Sequence, residues 1–312
     1  MNRTQSLRLA LLLAGFSCAA HAGILLYTFG GDFVSPGATG APDSLNRMDP
    51  ASSASVTGVQ TPVGTGNTGF NGGLVAANNL LYGVGNDSNG VATLYSFQTN
   101  GLGLSAVSSS FNNTGDAAGV GFQNGLTAVG NTFYAIGQGA TTEDLYSIGA
   151  GSATHIQTLN TLTGTYAGLA WDPTLNDFYA IIAGATSVDF NGDFLVRFAL
   201  GGPVSIVANL TTLDGAEVGT HLGGLADAGG GILYDIYTNP GTSTGQLEQI
   251  NLNGSPSVAT LYDTQIPLAQ NAGIALPVSA SVPEPSTDME IGSSLVLLFC
   301  ILRSRRHRQP TI

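Results

Sequence analysis

The chain has 312 residues, of which 8 are Lys or Arg and 20 are Asp or Glu, so its formal net charge is −12. Hydrophobic residues make up 43% of the sequence and charged residues only 9%, which excludes an acidic disordered chain. The sequence has no basic excess for binding the phosphates of a nucleic acid, and its 44 glycines follow no triplet period that would indicate collagen.

The first 22 residues have the pattern of a secretory signal peptide. Arg3 and Arg8 precede an apolar run, and the small residues Ala20 and Ala22 predict cleavage after Ala22. The apolar run is far shorter than the roughly 20 residues that a spanning helix needs. A retained transmembrane anchor is therefore the less favoured interpretation, and residues 23–281 are predicted to form one exported domain.

The exported region is strongly acidic and contains no cysteine. Its only basic residues are Arg47 and Arg197, against 17 acidic residues, which gives a net charge of −15. Without cysteine it has no disulfide and no thiolate metal site, so apolar burial must stabilise it. A surface of this charge disfavours polyanions and favours neutral glycans, cationic surfaces or divalent ions as partners.

A phrase of four short strand-like runs recurs through the exported region. Each phrase begins with a glycine and an aliphatic residue, and these pairs lie 43 to 56 residues apart, at Gly73-Leu74, Gly125-Leu126, Gly168-Leu169, Gly224-Leu225 and Gly273-Ile274. Eight to ten residues after the aliphatic residue of the first four pairs comes a tyrosine, at Tyr82, Tyr134, Tyr179 and Tyr234. Four strands per unit of this length predict the blade of a β-propeller. A β-sandwich gives no reason for the same phrase to recur.

The phase of the repeats predicts how the ring closes. The segment before Gly73 contains a second, third and fourth run but no first run, whereas Gly273 to Ser279 supplies a first run with nothing after it. We therefore expect the last strand to lie beside Leu26 in the first blade, which removes open sheet edges. The predicted fold is all-β, with five four-stranded blades. Six blades would need a hidden unit in one of the longer intervals.

The loops that enter the innermost strands carry the candidate ligand-binding residues. They contain carboxamide, aromatic and imidazole side chains at Asn71, Gln123, Asn124, Tyr166, His221, Gln270 and Asn271. Such groups hydrogen-bond sugar hydroxyls, which gives the hypothesis of a neutral polar mouth for a glycan at the end of the central channel. The favoured alternative is that these side chains cap turns and satisfy loop backbone groups.

Catalysis is not expected. A glycosidase needs two or three converging carboxylates, and the inner-strand runs carry only Asp172 and Asp227, each followed by residues typical of a turn. A carbohydrate-active enzyme that uses these two residues in the central channel is the alternative function.

One segment has a weak likeness to a calcium loop. Asp189, Asn191 and Asp193 place oxygen ligands at the first, third and fifth positions, but the glycine falls at the fourth position and Leu200 at the twelfth. A hairpin turn at Asn191-Gly192 is the favoured interpretation, so calcium is at most loosely held and no other cofactor is expected. His155 and His221 are isolated in the sequence, so neither is expected to belong to a metal cluster.

Residues 282–312 have three segments in a fixed order. The motif Val282-Pro283-Glu284-Pro285 comes first, an apolar stretch runs from Ile291 to Leu302, and four arginines follow at Arg303, Arg305, Arg306 and Arg308. An apolar segment followed by arginines is held in a membrane with the arginines in the cytoplasm. The stretch of 12 residues is short for a full span, which predicts a marginal transmembrane helix that anchors the chain in the inner membrane transiently.

This tail resembles the PEP-CTERM sorting signal of Gram-negative bacteria, and the resemblance covers about the last 30 residues. It implies recognition by an exosortase and an association with exopolysaccharide, biofilm or the cell surface. With the signal peptide, it predicts export through the inner membrane to the cell envelope, cell surface or extracellular matrix. The expected role there is structural or binding rather than catalytic, with the exosortase and neutral exopolysaccharide as partners.

Overall fold

The computed structural model describes residues 24–30, 43–63, 69–86, 89–139, 142–159, 163–186, 191–239, 241–242, 244–267 and 273–277. These residues form five antiparallel sheets of four strands each, as the sequence predicts for a five-bladed propeller. The predicted signal peptide and sorting tail lie outside the described residues. None of the helices in the described ranges has the length and apolar content needed to cross a bilayer.

Four of the blades are built from four consecutive strands. In each of them the strands follow chain order from the inner to the outer edge. Blade 2 comprises β4 (Gly69–Ala77), β5 (Leu80–Asn86), β6 (Ala92–Phe97) and β7 (Ser105–Ser108). Blade 3 comprises β8 (Leu126–Val129), β9 (Thr132–Gln138), β10 (Glu143–Gly149) and β11 (Ser152–Thr158). Blade 4 comprises β12 (Thr163–Asp172), β13 (Asp177–Thr186), β14 (Asn191–Phe198) and β15 (Ser205–Asn209). Blade 5 comprises β16 (Leu225–Gly229), β17 (Ile232–Asn239), β18 (Thr244–Asn251) and β19 (Ser257–Pro267).

Blade 1 is assembled from both ends of the described chain. Its strands are β1 (Leu26–Gly30), β2 (Asp43–Asp49), β3 (Ser52–Val63) and, at the inner edge, β20 (Ile274–Ala275). Strand β20 is antiparallel to β1, with Ile274 opposite Thr28. The Thr28 hydroxyl also donates a hydrogen bond to the Gly273 carbonyl at 2.6 Å. The predicted closure of the ring beside Leu26 is confirmed.

The hydrophobic core is divided into five clusters, one at each boundary between neighbouring blades. Strand β13 shows how one strand serves two clusters, because side chains alternate across a sheet. Phe178 and Ile182 pack in the cluster shared with blade 3, whereas Tyr179 and Ile181 pack in the cluster shared with blade 5. Each blade is therefore buried on both faces.

The inner strands approach each other at the five repeated glycines. A Cβ on Gly273 would lie 2.2 Å from the Leu74 nitrogen, and a Cβ on Gly125 would lie 2.7 Å from the Gly168 carbonyl carbon. Both glycines also have positive φ values, of 74° and 139°, which disfavour any residue with a side chain. The glycine of the sequence repeat is therefore required by the contact between neighbouring blades at the axis.

A short helix connects blade 4 to blade 5 and was not predicted. Helix α1 spans Leu210–Asp214 and begins at Asn209, whose side-chain oxygen accepts a hydrogen bond from the Thr212 N–H at 3.1 Å. It ends at Gly215, which adopts the left-handed conformation. The helix places Asp214 beside the loop that leads into β16.

Candidate functional site

Backbone closes the central axis of the propeller. The five repeated glycines and the aliphatic residues that follow them line a cavity volume of about 10 Å³, which is room for about one water molecule. A sugar ring is far larger than this space. A ligand can therefore reach the ends of the axis but cannot enter it.

The seven residues of the predicted polar mouth lie in different environments. Asn124, Tyr166 and His221 are buried, with at most 2% of each residue exposed. Gln123 is half-buried and Asn71 lies in β4. Gln270 and Asn271 fall outside the described residues. The three buried residues are enclosed by protein and do not border a solvent-filled opening.

Asn124 and Tyr166 surround a buried carboxyl group, that of Glu143 at the start of β10. Its Oε2 atom accepts a hydrogen bond from the Tyr166 N–H at 2.8 Å, and the Tyr166 hydroxyl donates to the Leu159 carbonyl. Burial raises the pKa of Glu143 to about 7, against the opposing effects of the Tyr166 N–H and the nearby Asn124 amide. Glu143 thus joins blade 3 to the strand that begins blade 4.

Asp193 has the same role at the next blade boundary. Its Oδ1 atom accepts hydrogen bonds from the Gly184 and Gly219 N–H groups, both at 2.7 Å. Its Oδ2 atom accepts from the Thr220 and His221 N–H groups at 3.1 and 3.2 Å. These bonds hold the loop that leads into blade 5.

His221 lies at the centre of a group of four acidic side chains, which we call the blade 5 cluster. The cluster consists of Asp193, Asp214, His221, Asp235 and Glu248. The expectation that His221 is isolated is wrong, because residues distant in the sequence converge on it. Each of these five side chains is at most 2% exposed.

The two ring nitrogens of His221 point to different acids. Nδ1 lies 2.7 Å from Oδ2 of Asp193, and Nε2 lies 2.8 Å from Oδ2 of Asp214. The same Nε2 atom is 3.5 Å from Oε2 of Glu248 and 3.8 Å from Oδ2 of Asp235. Three carboxylates from α1, β17 and β18 therefore face one nitrogen of the imidazole.

The cluster shifts the ionisation of its members in opposite directions. Burial alone would lower the pKa of His221, but the hydrogen bonds to Asp193 and Asp214 outweigh burial and hold it well above its usual value. Burial raises the pKa of Asp235 to about 8, with Glu248 adding to the effect and His221 opposing it. The buried carboxyls therefore compete for one imidazolium.

Three oxygens of this acidic group have no hydrogen-bond partner. Both carboxylate oxygens of Asp235 and the Oε2 atom of Glu248 are buried without one, although Oε1 of Glu248 accepts from the Thr260 hydroxyl at 2.8 Å. Buried polar atoms are almost always satisfied in folded proteins. These three oxygens are therefore the feature of the cluster that needs an explanation.

The sequence contains a signal for these acids, at positions where the repeats differ. Asp235 follows the repeated tyrosine, where blades 2 to 4 have Gly83, Ala135 and Ala180. Glu248 follows the leucine of the third run, where blades 2 to 4 have Tyr95, Tyr146 and Val196. In the structure Asp235 and Glu248 are opposite each other on β17 and β18, as Ala135 and Tyr146 are on β9 and β10.

The donor set of the cluster suits a metal ion. Single ligand atoms from Asp214, His221 and Glu248 all lie within 4.8 Å of one another, and an imidazole with carboxylates is a common set of protein metal ligands. By contrast, Asp193 already uses both oxygens for backbone N–H groups, and Asn191 lies in β14 opposite Thr186. Asp189 falls outside the described residues.

The two acids of the alternative enzyme function lie at the opposite end of the blades, where the inner strands finish. Asp172 accepts hydrogen bonds from the Thr174 and Leu175 N–H groups at 2.7 and 3.2 Å. Asp227 accepts one from the Gly229 N–H at 3.1 Å. Burial, together with the nearby Asp172 charge, raises the pKa of Asp227. Both carboxylates serve the turns that follow their strands.

Comparison with known proteins identifies the fold alone. No protein-family model matches the sequence, and no curated protein matches it. The structure is similar to an α-L-arabinofuranosidase of Clostridium thermocellum, with a TM-score of 0.51 and 13% identity over 80% of this chain and 91% of that one. It is less similar to an Aleuria aurantia lectin solved with α-methyl-L-fucoside, with a TM-score of 0.43 and 14% identity over 74% and 73% of the two chains.

Proposed function

We propose that the protein is an exported, non-catalytic propeller that acts as a structural or binding component of the cell surface or extracellular matrix. The support for its delivery is the ordered tail, in which the Pro283-Glu284-Pro285 motif, an apolar stretch and clustered arginines follow one another. In this proposal the chain crosses the inner membrane, the tail anchors it there transiently, and an exosortase recognises the motif.

The observation that carries the non-catalytic role is the closed axis. Five glycines bring the inner strands into contact and leave space for about one water molecule. The acids around the axis are committed to other tasks, since Glu143 and Asp193 join neighbouring blades and Asp172 and Asp227 hold turns. A partner therefore binds on an end or an outer face of the propeller, and neutral exopolysaccharide is the partner that the charge of −15 on residues 23–281 tolerates.

A glycan array probed with the purified full-length chain tests the binding role. We expect signals on neutral glycans and none on acidic ones at low ionic strength, because the acidic surface repels polyanions. The variant Gln123→Ala removes a half-buried carboxamide of the polar mouth and is expected to weaken the neutral signal, with the exposed Gln98→Ala as the control. Absence of signal on every neutral glycan contradicts the binding role and leaves the structural one.

Mass spectrometry of the surface-associated protein tests the delivery. We expect the peptide that contains Arg303 to Ile312 to be missing from the mature form, and the variant Glu284→Ala to retain it. An intact tail on the mature wild-type protein would contradict processing.

The enzyme alternative uses Asp172 and Asp227, which lie where the inner strands finish, and burial together with the nearby Asp172 charge raises the pKa of Asp227. Hydrolysis of aryl glycosides by the wild type, with loss of activity in both Asp172→Asn and Asp227→Asn, would establish it. We expect no hydrolysis, because each carboxylate already accepts hydrogen bonds from its turn.

A further inference from the structure

The blade 5 cluster gathers more acid than its one base can neutralise. A protonated His221 offers one N–H to Asp193 and one to Asp214, so the imidazole leaves both oxygens of Asp235 and the Oε2 atom of Glu248 without a hydrogen bond. Burial of an unpaired charge is costly, so such groups are normally paired or bound to a metal. Within the described residues, Arg197 is ion-paired with Asp177 on the surface and does not reach the cluster.

We propose that the blade 5 cluster binds a divalent transition-metal ion through the Nε2 atom of His221 and the carboxylates of Asp214, Asp235 and Glu248. The ion supplies the positive charge that the protein side chains lack. It also gives partners to the three buried oxygens of Asp235 and Glu248 that have no hydrogen bond.

The spacing of the donor atoms agrees with a coordination shell. Ligands about 2.1 Å from a common ion lie about 3.0 to 3.4 Å apart in octahedral or tetrahedral arrangements. The three carboxylate oxygens lie 2.8, 3.5 and 3.8 Å from Nε2 of His221. Ligand atoms of Asp214, His221 and Glu248 already lie within 4.8 Å of one another, and closing the shell requires the side chains, Asp235 included, to move toward a common centre.

Asp193 orients the imidazole of His221 without being a ligand itself. Nδ1–H of His221 donates to Asp193 at 2.7 Å, which directs Nε2 toward the three remaining acids, where it can bind an ion in exchange for its own proton. Ligating histidines in proteins are usually held by such a second hydrogen bond. Asp193 is itself fixed by backbone N–H groups, so the ring has one orientation.

The opposition of Asp235 and Glu248 is a second, independent indication of a ligand. Like charges directly opposite in an antiparallel pair destabilise a sheet, and the equivalent positions in blades 2 to 4 pair a Gly or Ala with a Tyr or Val. Asp235 is completely buried and its Oδ2 atom faces His221. An ion between the strands converts this repulsion into a bridge.

The chemistry of the donors selects the class of ion. One imidazole with carboxylates suits Zn²⁺ or Mn²⁺, whereas Ca²⁺ prefers a shell made only of oxygen. Because the donors are at most 2% exposed, the site has the closed character of a structural metal rather than a catalytic one. Its ligands come from α1, the loop before β16, β17 and β18, so the ion would join the end of blade 4 to blade 5.

The test uses the full-length chain unfolded in denaturant with a chelator and refolded with or without Zn²⁺ or Mn²⁺. Refolding is needed because an enclosed site exchanges metal slowly. We expect one ion per chain by elemental analysis. We also expect a rise in unfolding midpoint of at least about 5 °C at a hundredfold excess of metal over its dissociation constant. Ca²⁺ is expected to bind more weakly than Zn²⁺.

Matched variants locate the site. Asp235→Asn keeps the size of the side chain and is expected to weaken Zn²⁺ binding at least about tenfold. Asp227→Asn changes a half-buried turn acid in the same blade and is expected to leave the affinity within about twofold of the wild type. Equal affinity in Asp235→Asn and the wild type, or tighter binding of Ca²⁺ than of Zn²⁺, would overturn the proposal.

If Asp235→Asn does not fold, X-ray absorption on the Zn²⁺-loaded wild type identifies the atoms that coordinate the ion. The expected spectrum has one imidazole and only oxygen or nitrogen neighbours at about 2.0 to 2.2 Å. A shell without imidazole, or an absence of bound metal after refolding, would also overturn the proposal.

Discussion

The boundary between blades 3 and 4 and the boundary between blades 4 and 5 follow one plan but differ in charge. At the first, Glu143 accepts a backbone N–H from the entry to β12, and in blade 4 Ala180 lies opposite Val196. At the second, Asp193 accepts backbone N–H groups from the entry to β16, but Asp235 lies opposite Glu248.

The fold does not need the additional acids of blade 5 to join neighbouring blades. One acid with backbone donors is sufficient to join two blades, because the 3–4 boundary has no counterpart of the Asp235–Glu248 pair among its described residues. The apolar clusters of the two boundaries are otherwise alike, with aromatic and aliphatic side chains from both blades. The additional acids of blade 5 therefore require a reason outside folding, and a bound cation supplies one.

All boundaries between blades share the glycine contact at the axis. Loss of this contact should lower the free energy of unfolding more than any other substitution. Gly273→Ala places a Cβ 2.2 Å from the Leu74 nitrogen at a φ of +74°, so we expect the free energy of unfolding to fall by at least about 3 kcal/mol. The control is Gly90→Ala, which has the same φ of +74° but no atom within 4 Å and should cost about 1 kcal/mol. Urea unfolding of the two variants measures the difference, and equal losses would refute a steric role for the ring.

Glu143, at the boundary between blades 3 and 4, should make the stability of the protein depend on pH. The pKa of Glu143 rises from 4.5 to about 7 on folding, so its stabilising contribution is complete below pH 4.5 and is lost as the pH rises through 7. The loss amounts to about 3 kcal/mol. From pH 4 to pH 8 the wild type should therefore lose about that much stability relative to Glu143→Gln, as measured by urea unfolding at each pH. Glu217→Gln, on an exposed loop, serves as the control and should follow the wild type.

Transferring the apolar pair of blade 4 to blade 5 tests the comparison directly and has the smallest expected effect. The double variant Asp235→Ala/Glu248→Val removes the opposed acids, and in metal-free buffer we expect its free energy of unfolding to rise by about 1 to 3 kcal/mol. The same variant should lose any stabilisation by Zn²⁺. Thermal unfolding with and without Zn²⁺ measures both effects. A loss of stability in metal-free buffer would show that the acids serve the fold itself.

The architecture could be predicted from the sequence because its repeat follows a geometric requirement. A positive φ and contact with the next blade fix a glycine at the axis, and Leu74, Leu126 and their equivalents are buried beside it. The incomplete first phrase then indicated the closure between Ile274 and Thr28. Helix α1 escaped prediction because its five residues are too few to show a helical period.

The blade 5 cluster could not be predicted from spacing, because its members come from five separate elements. Asp214 and His221 are close in sequence, but Asp193, Asp235 and Glu248 approach only after two blades pack together. The available sign was a pair of acids at two positions that carry no charge in the other blades. The predicted hairpin does join β13 to β14, but its turn is not at Asn191-Gly192, because the register places both residues in β14, opposite Thr186 and Ala185.

The two-residue strand that completes blade 1 has a mechanical consequence. Ile274 and Ala275 are held to β1 by a short antiparallel pairing, and the chain continues from them to Pro277. A pull on the polypeptide beyond Pro277 is therefore borne first by this strand, which would peel from Tyr27 and Thr28 before any other blade yields.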